Sequence, residues 1–349
     1  MKILVTGNMG YIGPVLVKHL KKNYPEIGIV GYDIGYFANC LTDAGVLPEV
    51  YVDTQVFGDI RHFPEHLLQG IDVVVNLAAI SNDPMGKKFE EITMDINHRA
   101  GIKLAKMAKK AGVTHFVFAS SCSMYGAADD FPKTETSELN PLTAYAKSKV
   151  YSENDLMPLA DENFVVTCLR FGTACGFSPR LRLDLVLNDF VAGAIVLKEI
   201  SILSNGTPWR PMINIKDMAR AIEWAAFRKA DNGGSFLAVN TGTNGWNNQV
   251  KTIAEAVGRA IPGTKISINR NAPVDKRSFK VNFDLFKKLA PDHQPNYDLE
   301  DTVEDLKTGI IAMGLKDPAF RESQLIRLKV LNRLQENHLL NEKLEWSTL

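Results

Sequence analysis

Residues 2–33 place an apolar run, three spaced glycines and a helical repeat in an order that few folds accommodate. Lys2-Ile3-Leu4-Val5-Thr6 reads as a buried strand, Gly7, Gly10 and Gly13 as a turn, and Tyr11 to Leu20 as a helix with apolar residues on one face. Gly7 allows the tight turn, Gly10 lets the backbone approach a pyrophosphate, and Gly13 lets helix and strand pack closely. The amino end of the helix supplies unpaired N–H groups and the positive end of a dipole, so the stretch is suited to hold a diphosphate. Ile29-Val30-Gly31-Tyr32-Asp33 reads as the next strand. Asp33, twenty residues after Gly13, stands where a carboxylate accepts from a ribose 2′-OH and repels a 2′-phosphate, which favours NAD over NADP. The glycine spacing is G-x-x-G-x-x-G rather than G-x-G-x-x-G, and its place between strand and helix gives it meaning.

The same alternation continues down the chain. Further strands are predicted at Tyr51 to Phe57, Ile71 to Ala79, His115 to Ala119 and Phe164 to Leu169. Helices are predicted from Lys87 to Lys110, ending at Gly112, and from Leu142 to Leu159. Apolar strands alternating with helices argue for a parallel sheet covered on both faces. The expected fold is therefore α/β: a doubly wound, Rossmann-type parallel sheet with helices on both faces and a smaller, interleaved C-terminal lobe for substrate. Residues 1–170, taking in about 211–242, form the expected dinucleotide domain, and 171–210 with 243–315 the substrate lobe. Residues 316–349 form a helical extension with Leu325, Leu328, Leu331 and Leu334 on one stripe, read as packing on its own domain.

Lys+Arg and Asp+Glu both total 40 in 349 residues, so no net field draws in nucleic acid or an anionic membrane. The chain opens directly on a strand, and no uncharged apolar run is long enough to span a bilayer, so a cytoplasmic protein is expected. Cys40, Cys122, Cys168 and Cys175 lack metal-ligand spacing and the seven histidines form no cluster, so reduced thiols and no metal are expected.

Chemistry concentrates at the end of the fifth strand and the start of the helix after it. Tyr145 and Lys149 are four residues apart and share a helix face. A phenol is a poor base at neutral pH, but a neighbouring ammonium, or the positive charge of an oxidised nicotinamide, stabilises the phenolate. The pair is thus a candidate general acid/base, with Ser121 placed to hydrogen-bond the same substrate oxygen.

Taken together these elements resemble the extended short-chain dehydrogenase/reductase family, in its branch of nucleotide-sugar epimerases, dehydratases and reductases. The matching stretches are Thr6-Gly7-Asn8-Met9-Gly10-Tyr11-Ile12-Gly13, Gly58-Asp59-Ile60-Arg61, Asn76-Leu77-Ala78-Ala79, Asn97 within its helix, Ser120-Ser121 ahead of Tyr125-Gly126, Tyr145 with Lys149, Leu169-Arg170-Phe171, and Trp209-Arg210-Pro211 before Asp217. The resemblance implies that Ser121, Tyr145 and Lys149 are catalytic. It implies that Asp59 and Ile60 flank the adenine, and that Leu77, Ala78, Ala79, Asn97, Ser120 and Phe171 join the glycine turn around the cofactor. For the nucleotide-diphosphate sugar it implies Arg210 at the diphosphate, assisted by Arg277, with Asn188, Ser81, Ser123 and Thr173 as further contacts. Arg180 and Arg182 are additional candidates, each read first as a solvated surface residue. Family members pair through the helices carrying Asn97 and Tyr145, so a homodimer is implied.

Departures from the family pattern narrow the reaction. Family 4,6-dehydratases carry an Asp-Glu pair where this chain has Cys122-Ser123, so loss of water from the sugar is disfavoured. The cysteine of the 3,5-epimerases falls at Ser123, one position from Cys122, which reads as a small buried residue. Hydride transfer at a carbinol remains. An epimerase with bound NAD is the leading expectation and a keto-sugar-nucleotide reductase or dehydrogenase the alternative, because both need the same residues. A dinucleotide sensor without catalysis fits an intact Ser121, Tyr145 and Lys149 least.

Overall fold

The computed structural model describes residues 1–42, 45–126, 131–272 and 278–347. In chain order, β1 (Lys2–Thr6) leads through α1 (Gly13–Asn23) to β2 (Gly28–Asp33), β3 (Thr54–Phe57) and β4 (Val73–Asn76). Then come α2 (Asp83–Lys88), α3 (Glu90–Met94), α4 (Gly101–Lys110), β5 (His115–Ser121), α5 (Ala144–Leu156) and β6 (Val165–Phe171). The second half holds β7 (Thr173–Cys175), α6 (Val186–Val196), β8 (Glu199–Ile202), β9 (Trp209–Asn214), α7 (Ile215–Phe227), β10 (Phe236–Thr241) and β11 (Asn247–Gln249). It closes with α8 (Val250–Ala260), β12 (Lys265–Ile268), α9 (Asp284–Leu289), α10 (Leu299–Ala312) and α11 (Arg327–Glu336).

Seven strands form one parallel sheet in the order β10-β6-β5-β4-β1-β2-β3. Strand side chains alternate between its two faces: Ile3 and Val5 join a core with α1 and α7, while Leu4 joins a second core with α4. The order in which strands are added reverses between β1 and β4, and at such a switch point the connections leaving the carboxyl ends of the two strands part to leave a crevice. A three-stranded sheet, β11-β9-β7, and the pair β12-β8 stand beside the main sheet. Residues 211–214 therefore pair in the smaller sheet, while α7 and β10 join the large one.

Three sequence expectations shift. The helix expected over 87–110 is broken at Phe89 and carries a π-helical turn at Asp95–Ala100. That turn aims the Asn97 amide at the chain leaving β4, where it accepts from Ile80 N at 2.8 Å and donates to Ile80 O at 2.9 Å. Tyr51 belongs to a short 3₁₀ turn instead of a strand. Among the described residues of the last stretch only Arg327–Glu336 is α-helical: Leu331 packs on the second core from the helix, and Leu340 and Leu344 reach the same core from the tail beyond it. The extension packs on its own chain. All four cysteines are buried and unpaired. Among the described residues no helix is long and apolar enough to cross a membrane.

Candidate active site

A cleft of about 1120 Å³ opens over the carboxyl ends of β1, β2, β4 and β5. Its floor is the glycine turn. Gly7 has φ +72°, and a Cβ there would lie 2.6 Å from Ala78 N; at Gly13 it would lie 2.1 Å from Asn8 O. Those two glycines are required by the protein's own packing. At Gly10 the nearest atom, Gly7 O, is 3.2 Å away, and the space a side chain would take faces the cleft. No side chain caps α1; Pro14 carries no N–H and Val15 N and Leu16 N bond Ile12 O, so the N–H groups of Ile12 and Gly13, at the cleft, are the ones placed for an anion.

Asp33 ends β2 at the cleft and accepts from Met9 N at 2.9 Å and Gly35 N at 2.7 Å. Burial lifts its carboxyl above the ordinary range, opposed by those two amides. Asp59 is clasped by Arg61, which donates from its backbone N and its guanidinium Nε, so Ile60 and the Gly58–Asp59 backbone form the cleft edge. Leu77, Ala78, Ala79, Ser120 and Phe171 also line the cleft. Asn8, Met9 and Asn97 lie behind its wall: Asn8 bonds Gln55, Met9 bonds Asp33 through its backbone, and Asn97 braces Ile80.

Tyr145 and Lys149 face the cleft from α5, and Ser121 faces it from the end of β5. Lys149 Nζ donates to Ala119 O at 2.7 Å and lies 5.5 Å from the centre of the Tyr145 ring. Burial pushes the lysine down to about 8. Burial also lifts the Tyr145 phenol, a shift countered by its hydrogen bond with Ser121 and by the charge of Arg182. Beneath Ser121, a buried network fixes the strand end. Ser120 Oγ donates to Glu153 at 2.6 Å, Glu153 pairs with Arg170 at 2.6 Å, and Arg170 donates to the Tyr125 hydroxyl at 3.0 Å. Cys122 is shut away from this chemistry: its thiol donates to Arg170 O at 3.0 Å, and burial pushes it far above its ordinary value.

On the far side of the cleft, the surface reading of two arginines is overturned. Arg180 is 1% exposed and pairs with Glu49 at 2.6 Å; Arg182 is 6% exposed, faces the cleft, pairs with Asp184 at 2.9 Å and donates to Ser81 Oγ at 2.9 Å. Residues 180, 182 and 184 alternate, so an extended chain carries Arg182 and Asp184 on one side; the sequence pattern Arg-x-Arg-x-Asp held that signal for Asp184, which sequence reading missed. Ser123 lines the cleft with a hydroxyl that has no hydrogen-bond partner among the described residues, and Thr173 and Arg210 line it too. Asn188 does not line it: the side chain is fully buried, accepting from Gly176 N and donating to the Tyr11 hydroxyl and Arg182 O. It holds the loop that carries Arg182. Arg277 lies outside the described residues.

Residues 3–242 match the NAD dependent epimerase/dehydratase family. The chain belongs to that family. Its cofactor is NAD, and the turn whose open space lies at Gly10, the uncapped α1 and the carboxylate of Asp33 fit that dinucleotide. Among relatives, an uncharacterized UDP-glucose epimerase, YtcB, of Bacillus subtilis (strain 168) is 29% identical over 235 residues, covering 64% of this chain and 71% of its own. A UDP-glucose 4-epimerase of the same strain is 25% identical over 299 residues, 75% of this chain and 84% of its own. The fold is shared with a UDP-glucuronic acid 4-epimerase from Bacillus cereus solved with UDP-glucuronic acid and NAD, at TM-score 0.75, 23% identity and coverage of 90% of this chain and 100% of that one.

Proposed function

We propose that this enzyme is a nucleotide-sugar epimerase that inverts a carbinol centre through a transient keto-sugar, with UDP-sugars the first candidates because the relatives are UDP-glucose epimerases. The observation that carries it is the set Ser121, Tyr145 and Lys149 on one wall of a roomy cleft, with the Cys122 thiol withdrawn beside them. NAD supplies the acceptor and donor of hydride. Gly7 to Gly13 would hold its diphosphate, Asp33 its adenosine ribose, and Ile60 and Ala78 its flanks.

Tyr145 Oη takes the proton of the sugar hydroxyl and later returns it, while Lys149 keeps the phenolate charge stable in a buried site. Ser121 Oγ bonds the same substrate oxygen, and Ser123 offers its unpartnered hydroxyl to the sugar. Arg210 grips the substrate diphosphate, for which a guanidinium fork is suited. Residues 171–210 and 243–315 act as the substrate lobe. Turning the keto-sugar to present its other face needs room, which a cleft of about 1120 Å³ provides.

Purified protein mixed with candidate nucleotide sugars tests the reading. Isomerisation without net NADH is the expected result; stoichiometric NADH formation or consumption would instead make it a dehydrogenase or reductase. Four unpaired cysteines suit a reducing cytoplasm. A homodimer through α4 and α5 is supported by Tyr151 and Met157, 46% and 53% exposed at the outer side of α5 and just past its end, and a mass measurement in solution checks it.

A further inference from the structure

The match to the family ends at residue 242, yet the chain beyond 319 reaches back to the dinucleotide side of the cleft. Arg327, the first residue of α11, lines the cleft while only 1% exposed. Its guanidinium lies 4.7 Å from the centre of the Phe37 ring, four residues past Asp33, and donates to Arg180 O at 2.8 Å and Gln324 O at 3.2 Å. Arg180 N is held by Ser178 Oγ, which in turn donates to Tyr11 O in the glycine turn. Three buried guanidiniums thus meet here, and two have carboxylates: Glu49 on Arg180 and Asp184 on Arg182. Among the described residues Arg327 has carbonyl partners only. Burial pushes it down to about 10, helped by the charges of Arg182 and Arg180, and Asp184, already paired with Arg182, opposes that shift only in part.

The tail after α11 fastens the neighbouring loop. Trp346 Nε1 donates to Ile34 O at 2.8 Å, the Tyr36 hydroxyl donates to Leu344 O, and Arg61 Nη1 donates to Lys343 O at 2.9 Å. Leu344, buried and at φ +57°, makes the turn that presents those carbonyls. Both edges of the adenosine end, Asp33–Phe37 and Asp59–Arg61, are therefore tied to one strap.

We propose that residues 320–346 form a strap that retains the cofactor: Arg327 pairs with the dinucleotide diphosphate, and the turn at 341–346 holds the adenosine end shut. The proposal rests on the dinucleotide site and not on the epimerase reading, so binding is measured without turnover. Calorimetry on protein stripped of nucleotide would titrate NAD, ADP-ribose and adenosine into wild type, Arg327→Gln, Arg327→Lys and Trp346→Ala. Arg327→Gln is expected to weaken NAD and ADP-ribose about 10- to 100-fold, leave adenosine within about twofold, and be rescued in part by Arg327→Lys. Trp346→Ala, at a position 43% exposed and so tolerant of truncation, is expected to weaken all three and to speed NAD loss during gel filtration. Unchanged NAD affinity in both variants overturns the strap. Loss of nucleotide-sugar affinity alone in Arg327→Gln overturns the assignment of its diphosphate to the cofactor. If Arg327→Gln fails to fold, Trp346→Ala and Arg327→Lys decide: wild-type retention of NAD in Trp346→Ala rejects the strap.

Discussion

The two walls of the cleft are built in opposite ways. On one, Gly7 to Gly13, Asp33, Asp59 and Ala78 stand at the carboxyl ends of adjacent parallel strands, each a short step from its neighbour in a repeating β-α unit. On the other, Arg182, Asp184, Arg210 and Arg327 come from segments separated by up to 145 residues and are brought together by side chains bonding to distant backbone, as Arg327 does to Arg180 O and Asn188 to Gly176 N. The first wall is rigid because a sheet fixes it; the second depends on loop closure. The proposed chemistry sits where they meet, with Tyr145 on a helix of the sheet domain and Arg182 lining the same cleft.

The largest effect is expected at that junction. Tyr145→Phe removes the proposed proton carrier and keeps the ring, so turnover should fall by about 10²- to 10⁴-fold while NAD affinity stays within about twofold, measured by steady-state kinetics and calorimetry. Loss of both together would mean that Tyr145 supports the wall instead of acting across it.

Next comes a test of the rigid wall. Gly7→Ala puts a Cβ 2.6 Å from Ala78 N in a backbone region that alanine adopts at a cost of about 1–3 kcal/mol. β1 and β4 must part, so the melting temperature and NAD affinity should drop together, the latter by at least about tenfold. An equally stable variant that still binds NAD would show that the turn is more pliant than its packing indicates.

This contrast also explains what was legible in the sequence. The glycine turn, Asp33 and the Tyr145–Lys149 pair could be read because each depends on spacing within one strand-turn-helix unit or one helix face. The broken helix around Asn97 was hidden, because its π-turn is imposed by the backbone of Ile80, seventeen residues earlier. Arg180 and Arg182 were read as surface residues because their burial depends on Glu49 and Ser81, 131 and 101 residues away. Nothing in the local pattern of Phe320 to Trp346 announces that this segment reaches Ile34 and Phe37.

A smaller, graded effect is expected from pH. Lys149 titrates at about 8 in the folded protein against about 10.4 in an unfolded chain, so above pH 8 the ammonium beside Tyr145 is lost. Turnover at saturating substrate should decline by up to about tenfold per pH unit above that point, and Lys149→Met should lack this limb. Stability runs the other way. Between pH 8 and about 10.4 the unfolded chain binds more protons at this site, so the lysine's contribution to unfolding free energy rises with pH. Activity and stability that fall together above pH 8 would place the titration elsewhere.

The smallest effect belongs to Cys122, which borders the cleft while its thiol turns into the framework. Its Sγ donates to Arg170 O, and burial holds the thiol neutral throughout the working range, so it neither releases its proton readily to a sugar carbon nor forms a thiolate that could take one. Cys122→Ala should cost about 1 kcal/mol of stability at most, by thermal melting, because it removes one weak hydrogen bond and a small volume. Turnover should stay within about twofold. A fall of a hundredfold with an altered pH profile would instead put a second acid/base next to Tyr145, and the chemistry at this junction would extend from a carbinol to the neighbouring C–H bond.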